Sequence, residues 1–444
     1  MRPRGVRVRR GGGQGFTLSV ANRKTAVVGS GVAGMAAAWR LSSIGEVAVY
    51  EANAELGGHV CTVDVPANAH SEAVPVDVGF QLYHATHNPN VRALLDLLEV
   101  QTEAVAFSLS SSFEGRVWTN DGGGDRVSAA LDGDIARFIA DAPMMVHLPP
   151  QVSLRAFFDQ RGYSADFRRW CLGPILSFWW VSRAALFELP AFAVAAGVLQ
   201  GAISFSGATE YRAVSGGARA YIQRLAARLE GQARLRLATP VIRIERAADG
   251  VWVEDAGGGR ARFDRAVLAV DAATALSLLA APSEPERALL GSIRFEPSTL
   301  VVHRDERVMP ARRELWRYGN FRVSSADPQA DLSGEMTYWQ PRPGDPSVFV
   351  TVITEATELD PDKVVSEHRW RHRIIDHHTF EARLSPIQGQ GGVWYCGGHA
   401  VGLPVHEHAL CSGLAVAEAL GASYPFADDT QAAQAYAQFK THFA

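Results

Sequence analysis

A glycine-rich turn near the N-terminus holds the first residues whose spacing suggests chemistry. Gly29, Gly31 and Gly34 form a GxGxxG motif between an apolar stretch typical of a strand and one typical of a helix. Gly29 permits a tight turn, Gly31 lets the backbone approach a pyrophosphate, and Gly34 lets the helix pack closely on the strand. The backbone N–H groups at the helix start, including those of Val32 and Ala33, are free to bind phosphate oxygens. The motif therefore predicts a dinucleotide-binding site.

An acidic residue stands where such a site needs one. Glu51 follows the second predicted strand, Val47–Tyr50, and lies 22 residues after the first glycine. A carboxylate at this point can accept hydrogen bonds from the hydroxyls of an adenosine ribose. A glycine-rich turn without a ligand would not explain the placement of Glu51. A strand–helix–strand unit that binds a dinucleotide is therefore the better interpretation.

Charge is distributed unevenly along the chain. Residues 1 to 24 carry seven basic side chains and no acidic one, and the rest of the chain has 36 basic against 47 acidic residues. A nucleic-acid-binding protein normally has a basic body, so we expect no nucleic-acid partner. We expect residues 1 to 23 to be a disordered basic tail, or the product of a start codon assigned too far upstream.

Cysteine usage and hydropathy bear on where the protein works. The four cysteines lie far apart and form no CxxC pair, which favours reduced thiols in a cytoplasm over disulfides or a zinc site. The longest apolar stretch, residues 191 to 205, is shorter than the roughly 20 residues that a membrane span needs. We expect a buried helix there, and peripheral contact with a membrane surface stays open as an alternative.

The loop after Glu51 extends the nucleotide-binding pattern. Together with the GxGxxG motif and Glu51, this loop resembles the flavin amine oxidase and phytoene desaturase superfamily. In that superfamily a second glycine pair packs against the phosphates and the ribityl chain of FAD. The resemblance implies FAD as the cofactor, and it implies cofactor contacts in this loop at Ala52, Gly57, Gly58 and His59.

Later segments follow the order of the same superfamily over residues 25 to 421. Val76–Phe80 resembles the strand beside the flavin, and Val241 resembles a valine whose backbone holds the adenine. Residues 394 to 413 resemble the closing segment, where a helix N-terminus stabilises negative charge on the reduced flavin. The further cofactor contacts that the resemblance implies are Gly79, Phe80, Gln81, Val241, Gly397, Gly398, His406 and Glu407.

One bacterial branch of the superfamily is the most similar. Residues 76 to 90 (VDVGFQLYHATHNPN) carry a likeness to predicted NAD/FAD-binding oxidoreductases that are associated with cyclopropane fatty acid synthases. This likeness implies a lipid-modifying enzyme as a partner. It also favours a hydrophobic small molecule as the substrate.

The resemblance implies an α/β fold with two parts. The first is a Rossmann-type FAD-binding domain built from separated segments, at residues 24–90, 215–285 and 386–444, the last with a C-terminal tail. The second is a substrate domain with a mixed sheet and helices, at residues 91–214 and 286–385. We expect the second part to be inserted between the segments of the first.

The chain departs from the amine oxidases of this superfamily at one chemically important place. Those enzymes usually hold a lysine near the flavin N5 atom, and its strand should fall near residues 298–303, where the sequence STLVVH has none. The chain has three lysines, Lys24, Lys363 and Lys440, beside 40 arginines. The missing lysine favours carbon–carbon chemistry over amine oxidation.

Histidines are the candidate bases. A histidine with a near-neutral pKa can remove a proton from the substrate while hydride leaves to the flavin. We single out His84, His399 and His406 as catalytic candidates, because they lie in or beside the segments predicted to surround the flavin. The acid that normally binds the ribityl chain is replaced by Gly398, and His399 or Glu407 could compensate.

A pair of histidines has the spacing of a metal site, but the residues beside the pair argue against one. His368 and His372 are four residues apart in a stretch that we expect to be helical, with His377 and His378 beyond it. That spacing can place two ligands on one helix face. The arginines beside them repel a cation, so we predict no metal. A solvated helix face, or an Arg/His patch for a carboxylate, is the better interpretation.

The substrate side is apolar. Residues 157 to 205 are rich in Trp and Phe, which suits either a pocket for a hydrophobic substrate or an ordinary helical core. No second GxGxxG is present, so the organic substrate should reduce FAD, and oxygen, a quinone or another acceptor should reoxidise it. We expect an FAD-dependent oxidoreductase that desaturates, dehydrogenates or isomerises a fatty acyl or isoprenoid-like substrate. The alternatives are a flavin amine oxidase that produces hydrogen peroxide, or an FAD-bound partner of a lipid-modifying enzyme.

Overall fold

A computed structural model describes most of the chain. The described ranges are residues 23–66, 73–180, 186–207, 209–324, 334–340, 347–376, 383–402 and 405–443. The predicted basic tail lies outside them except for its last residue, and so do His377 and His378. Each helix within the described ranges is too short or too polar to span a bilayer.

The chain alternates between strands and helices throughout. The strands are β1 (Arg23–Val28), β2 (Gly45–Tyr50), β3 (Thr62–Pro66), β4 (Ala73–Asp77), β5 (Thr102–Ala106), β6 (Leu109–Phe113), β7 (Arg116–Thr119), β8 (Glu210–Val214), β9 (Ala233–Arg236), β10 (Val241–Ala247), β11 (Gly250–Asp255), β12 (Arg260–Phe263), β13 (Arg265–Leu268), β14 (Phe295–His303), β15 (Gly319–Val323), β16 (Gly334–Trp339), β17 (Phe349–Val352), β18 (Val364–Arg373) and β19 (Val393–Tyr395). The α-helices are α1 (Val32–Leu41), α2 (Pro89–Leu97), α3 (Ala129–Met145), α4 (Leu154–Arg161), α5 (Gly173–Trp180), α6 (Ala191–Leu199), α7 (Arg219–Ala227), α8 (Ala272–Leu278), α9 (Glu284–Ser292), α10 (His406–Ala419) and α11 (Thr430–Phe443).

A five-stranded parallel sheet, in the order β19-β13-β1-β2-β9, forms the first layer of the nucleotide-binding part. Its central strands are apolar and buried, as expected for a parallel sheet covered by other elements. The strands come from the N-terminal, middle and C-terminal parts of the sequence. The fold is therefore α/β, and its Rossmann-type sheet is assembled from separated segments as predicted.

Two helices cross this sheet in close contact. A Cβ on Gly34 of α1 would lie 2.0 Å from the carbonyl oxygen of Gly29, and one on Gly413 of α10 would lie 2.1 Å from the carbonyl oxygen of Ala33. Neither position can carry a side chain without moving the backbone. The small residues therefore let α1 sit directly between the glycine-rich turn and α10, which fixes where α10 begins.

A seven-stranded sheet organises the other part of the molecule, in the order β18-β14-β17-β16-β15-β6-β7. Helices α3 to α6 pack with it around a second hydrophobic core. Many of the aromatic side chains of residues 157 to 205 lie in that core, and Phe158 and Phe167 have 0% exposure. The core interpretation therefore holds for these rings. Trp179 and Phe205 are only partly buried at its margin.

The stretch with His368 and His372 is a strand, so the predicted helix is wrong. In β18 half-buried and exposed positions alternate, which is the two-residue period of a strand. Spacing by four residues fits one face of a helix and also one face of a strand, because four is a multiple of two. In the strand the two histidines are about 13 Å apart, too far to share a metal ion.

Candidate functional site

The glycine-rich turn between β1 and α1 forms the floor of the candidate cofactor site. Gly29 has a φ of 98°, and a Cβ there would lie 2.6 Å from a backbone carbonyl oxygen. A Cβ on Gly31 would meet only the carbonyl oxygen of Gly57, at 4.0 Å, so the space beside this backbone is open. The N-cap residue of α1 is Gly31, which has no side chain to cap the helix. The N–H groups of Val32 and Ala33 are therefore available to a phosphate.

Glu51 joins this turn to the end of β2. Its buried carboxylate accepts hydrogen bonds from the backbone N–H of Ser30 at 2.9 Å, the Ser30 hydroxyl at 2.6 Å and the backbone N–H of Asn53 at 2.9 Å. The carbonyl oxygen of Glu51 accepts a further bond from Thr239 at 2.8 Å. That bond brings Val241, at the start of β10, to the same end of the sheet. The two residues predicted for the adenosine half thus lie near each other.

The loop with the second glycine pair lies directly against the first turn. Gly57 forms an isolated bridge with Gly31, and its N–H donates to a carbonyl oxygen of the turn at 3.1 Å. Ala52, Gly58 and His59 are exposed. Surrounding protein nevertheless lowers the pKa of His59 by desolvation. We attribute this combination of an exposed surface and a lowered pKa to the position of the His59 side chain, which lines a deep cleft that water enters.

Gly79 and Phe80 continue the wall of this cleft. A Cβ on Gly79 would lie 2.0 Å from the carbonyl oxygen of His59 and 2.9 Å from the Trp370 ring. The N–H of Phe80 donates to the same carbonyl oxygen at 3.0 Å. Gln81 is buried next to them, and its Oε1 atom has no hydrogen-bond partner among the described residues. These predicted contacts therefore gather around His59.

His406, the first residue of α10, reaches the same wall. Its ring stacks on Phe80 with a centroid distance of 3.8 Å, and its Nε2 atom lies 2.7 Å from the hydroxyl oxygen of Tyr221. Burial lowers the pKa of His406 to about 3, with a smaller contribution from His59, so the ring is neutral at pH 7. The N-cap residue of α10, Val405, makes no side-chain hydrogen bond to the start of the helix. The N-terminal dipole of this helix is therefore free to stabilise negative charge.

Gly397, Gly398 and His399 form the turn after β19. Gly397 has a φ of 140°, and its N–H donates to the hydroxyl of Ser412 at 2.8 Å. His399 is 5% exposed, and its Nε2 atom has no partner in the described part of the chain. Burial lowers its pKa to about 4. A buried, unpartnered nitrogen is unfavourable unless a ligand meets it, and a ribityl hydroxyl fits.

Glu407 serves another element. Its carboxylate accepts hydrogen bonds from the backbone N–H and side-chain amide of Asn90, at 2.9 and 2.7 Å, and from the N–H of Val91 at 2.9 Å. These bonds satisfy the N-terminus of α2. Burial raises the pKa of this carboxyl to about 7. All three of these bonds run to the start of α2, so they give no support to the predicted role of Glu407 at the cofactor.

His84 lies in a separate aromatic environment. Its ring is 4.2 Å from that of His87 and 5.3 Å from that of Tyr211, and its Nδ1 accepts a bond from the N–H of Thr86 at 3.2 Å. Burial lowers the pKa of His84. The structure thus brings His399 and His406 to the cofactor cleft, and it groups His84 with the aromatic rings beside the second core.

The assembled residues fit FAD. The open space at Gly31 and the uncapped start of α1 are what a pyrophosphate requires, and the buried, unpartnered Nε2 of His399 is compatible with a polar ligand group. A model of the family described as flavin containing amine oxidoreductase matches residues 32–377. The chain belongs to that family. It is an FAD-dependent oxidoreductase.

Solved structures share the fold of this flavin amine oxidoreductase at low sequence identity. Cyclohexylamine oxidase from Brevibacterium oxydans IH-35A is 16% identical, with a TM-score of 0.67, and the match covers 90% of this chain and 98% of that one. A putrescine oxidase bound to putrescine is 15% identical, with a TM-score of 0.65 and coverages of 90% and 99%. A fatty acid isomerase from P. acnes is 12% identical, with a TM-score of 0.64 and coverages of 91% and 99%. No curated protein sequence matches the chain.

Sequence reasoning missed two residues of the cleft. Trp370 and His372 lie on the inward face of β18, and their rings approach that of His59 with centroid distances of 4.9 and 5.6 Å. The predicted helix separates them, because residues two apart face different sides of a helix but the same side of a strand. The alternation of charged and uncharged residues from Ser366 to His372 is the signal that could have found them.

Proposed function

We propose that this flavoprotein removes hydride from an apolar substrate by desaturation, dehydrogenation or double-bond isomerisation. The observation that carries the proposal is the composition of β14, Phe295–His303, which contains no lysine. The lysines of the chain are engaged elsewhere. Lys24 lies 3.4 Å from Glu46, Lys363 lies 3.9 Å from Asp305, and Lys440 lies 2.9 Å from Glu418.

The partly buried aromatic rings at the margin of the second core support a hydrophobic substrate. Trp179 stands at this margin beside Tyr211, with a ring distance of 5.0 Å, and its indole nitrogen has no partner among the described residues. Partly buried aromatic rings of this kind favour a fatty acyl or isoprenoid-like chain. The fold itself does not discriminate, because the solved neighbours include amine oxidases and a fatty acid isomerase.

The residues of the cleft have separate tasks in such a reaction. The chemistry that FAD supplies when bound is acceptance of a hydride. The turn at Gly31 and the N-terminus of α1 hold the phosphates, and Glu51 and Val241 hold the adenosine half. The N-terminus of α10 stabilises negative charge through its dipole. His399 is assigned to orientation of the cofactor, because its free nitrogen is buried at the closing turn.

Anaerobic flavin bleaching tests the proposal. Purified, FAD-loaded protein is mixed without oxygen, in separate samples, with an unsaturated straight-chain fatty acid, an isoprenoid alcohol and the amine of the same chain length. We expect bleaching, or turnover to a shifted double bond without net bleaching, with the acid or the isoprenoid. Bleaching by the amine alone, with hydrogen peroxide released in air, would replace this proposal with amine oxidation. The family match and the two amine oxidase neighbours make the amine the appropriate comparison.

A further inference from the structure

The inward face of β18 meets the cofactor cleft at two predicted contacts. Trp370 closes on Gly79, where a Cβ would lie 2.9 Å from the indole ring, and on His59, with a ring distance of 4.9 Å. His372, two residues along the same face, stacks on His59 with a centroid distance of 5.6 Å and an interplanar angle of 27°. This strand therefore lines the cleft at His59 and Gly79.

Two polar atoms on this face are buried without partners. They are Nε2 of His372 and Oγ of Ser298, and neither has a hydrogen bond to a described residue. Ser298 of β14 pairs with Trp370 in the antiparallel register, so it points to the same side as His372 and is diagonal to it. Burial of unpartnered polar atoms is unfavourable. Two of them on adjacent strands mark a place for a ligand that carries polar atoms.

The chemical state of His372 suits a proton acceptor. Burial, with a smaller contribution from the neighbouring His59, lowers the pKa of His372 to about 3, so the ring is neutral before hydride transfer and has a lone pair available. The charge that a hydride delivers to the cleft stabilises a protonated imidazole through Coulomb attraction in a site of low dielectric constant. The pair formed by His372 and His59 is then neutral before hydride transfer, and His372 is able to hold a proton after it.

Other charged groups near the pair act in both directions. Glu296 lies opposite His372 in the register, and Asp271 raises the pKa of His59. His406 and His59 oppose each other's protonation. The arginines at positions 371 and 373 belong to the opposite face of the strand. Asp271 therefore favours protonation of this cluster, and the repulsion between the His59 and His372 imidazoles opposes a second proton.

We propose that His372 is the proton acceptor of this active site, with Ser298 holding an oxygen atom of the substrate or a water molecule beside it. One carbon–hydrogen bond of the substrate breaks with its electron pair, which leaves as hydride to FAD. A second bond to hydrogen breaks and leaves its electron pair in the new double bond, while its proton goes to Nε2. In an isomerisation the hydride and a proton return to different carbons. The part of this inference that concerns the substrate rests on the proposed function. Its test needs only bound FAD and no substrate.

The pH dependence of the flavin reduction potential tests this inference without a substrate. Each proton taken up with two electrons changes the potential by about 30 mV per pH unit. We expect FAD-loaded wild-type protein to show about 60 mV per pH unit near neutral pH, from one proton on the flavin and one on His372. In His372→Asn the slope should fall to about 30 mV per pH unit. The measurement is spectroelectrochemistry from pH 6 to pH 8.

A matched control lies on the same face of the same strand. His368 is four residues away, and its nitrogens already have partners in Cys61 at 3.7 Å and Ser366 at 3.0 Å. His368→Asn should keep the wild-type slope. An unchanged slope in His372→Asn, or a wild-type slope of about 30 mV per pH unit, overturns the inference. His372→Gln serves as the second variant if the first loses FAD.

The two proposals fail separately. If no acid or isoprenoid reduces the flavin but the slope depends on His372, the proton acceptor stands and the substrate class is wrong. If the slope does not depend on His372 but an apolar substrate bleaches the flavin, the function stands and the acceptor is another group. With a reacting substrate, His372→Asn should lower the rate of flavin reduction at least tenfold and leave FAD affinity within twofold.

Discussion

Two glycines of the same turn, Gly29 and Gly31, show how single residues with different roles build the cofactor site. Gly29 is required by the fold, because its φ is 98° and a Cβ would lie 2.6 Å from a carbonyl oxygen. Gly31 has an ordinary φ of −60°, and its Cβ would enter open space. Gly29 is thus needed for the backbone conformation of the turn, and Gly31 leaves space beside the backbone for a ligand.

Alanine at each position separates these roles. Gly31→Ala should keep the free energy of unfolding of the apoprotein within about 1 kcal/mol and raise the FAD dissociation constant at least about tenfold, since the methyl group occupies the pyrophosphate path. Gly29→Ala should lower the free energy of unfolding by more than about 1 kcal/mol. Denaturant unfolding of the apoproteins and fluorescence titration with FAD measure both quantities. Equal FAD affinity in Gly31→Ala and wild type would place the pyrophosphate elsewhere.

At the scale of elements, the contact between α10 and α2 depends on one carboxyl group. Glu407 of α10 is buried and accepts hydrogen bonds from the first N–H groups of α2. Burial raises its pKa in the folded protein to about 7, above its value in an unfolded chain. The folded state therefore binds the proton more tightly than the unfolded state. Stability must fall as pH rises from the unfolded value through the folded one.

The prediction is a pH-dependent loss of stability that Glu407→Gln removes. A shift of this size corresponds to roughly 3 kcal/mol lost between pH 4.5 and pH 7.5. The variant should lose stability at pH 5, because one amide hydrogen faces a backbone N–H of α2, and should show less change with pH. Urea unfolding of both proteins at several pH values gives the comparison. A wild-type dependence that persists unchanged in Glu407→Gln would assign the effect to another group.

The elements also show what the sequence could and could not predict. The strand–turn–helix at Gly29–Gly34 and the acid at Glu51 have spacings that a single local geometry explains, and that geometry is present. The wall formed by β18 was missed, because histidines four residues apart satisfy the period of a helix and of a strand. The contacts of Glu407 with α2 join residues more than 300 positions apart, and local spacing carries no information about them.

The whole molecule gathers its cofactor site from distant stretches of chain. The glycine turns lie at residues 29–58, the strand predicted to hold the adenine is β10, and the closing turn and α10 begin after β19. FAD therefore bridges parts that separate when the protein unfolds. A ligand that binds the folded state alone stabilises it by about 2.7 kcal/mol at one hundred times its dissociation constant. The cofactor should thus stabilise the folded protein by binding to these separate parts of the chain at once.

Comparison of FAD with FMN tests whether both the flavin half and the adenosine half of the cofactor contribute to this stabilisation. FMN lacks the adenosine that Glu51 and Val241 are predicted to hold, so it should bind more weakly and raise the melting temperature of the apoprotein less than FAD at the same concentration. The difference should shrink in Glu51→Ala, which removes the ribose acceptor. Differential scanning fluorimetry of apoprotein with each flavin gives the melting temperatures. Equal shifts with FAD and FMN would show that the adenosine side of this cleft contributes no binding energy.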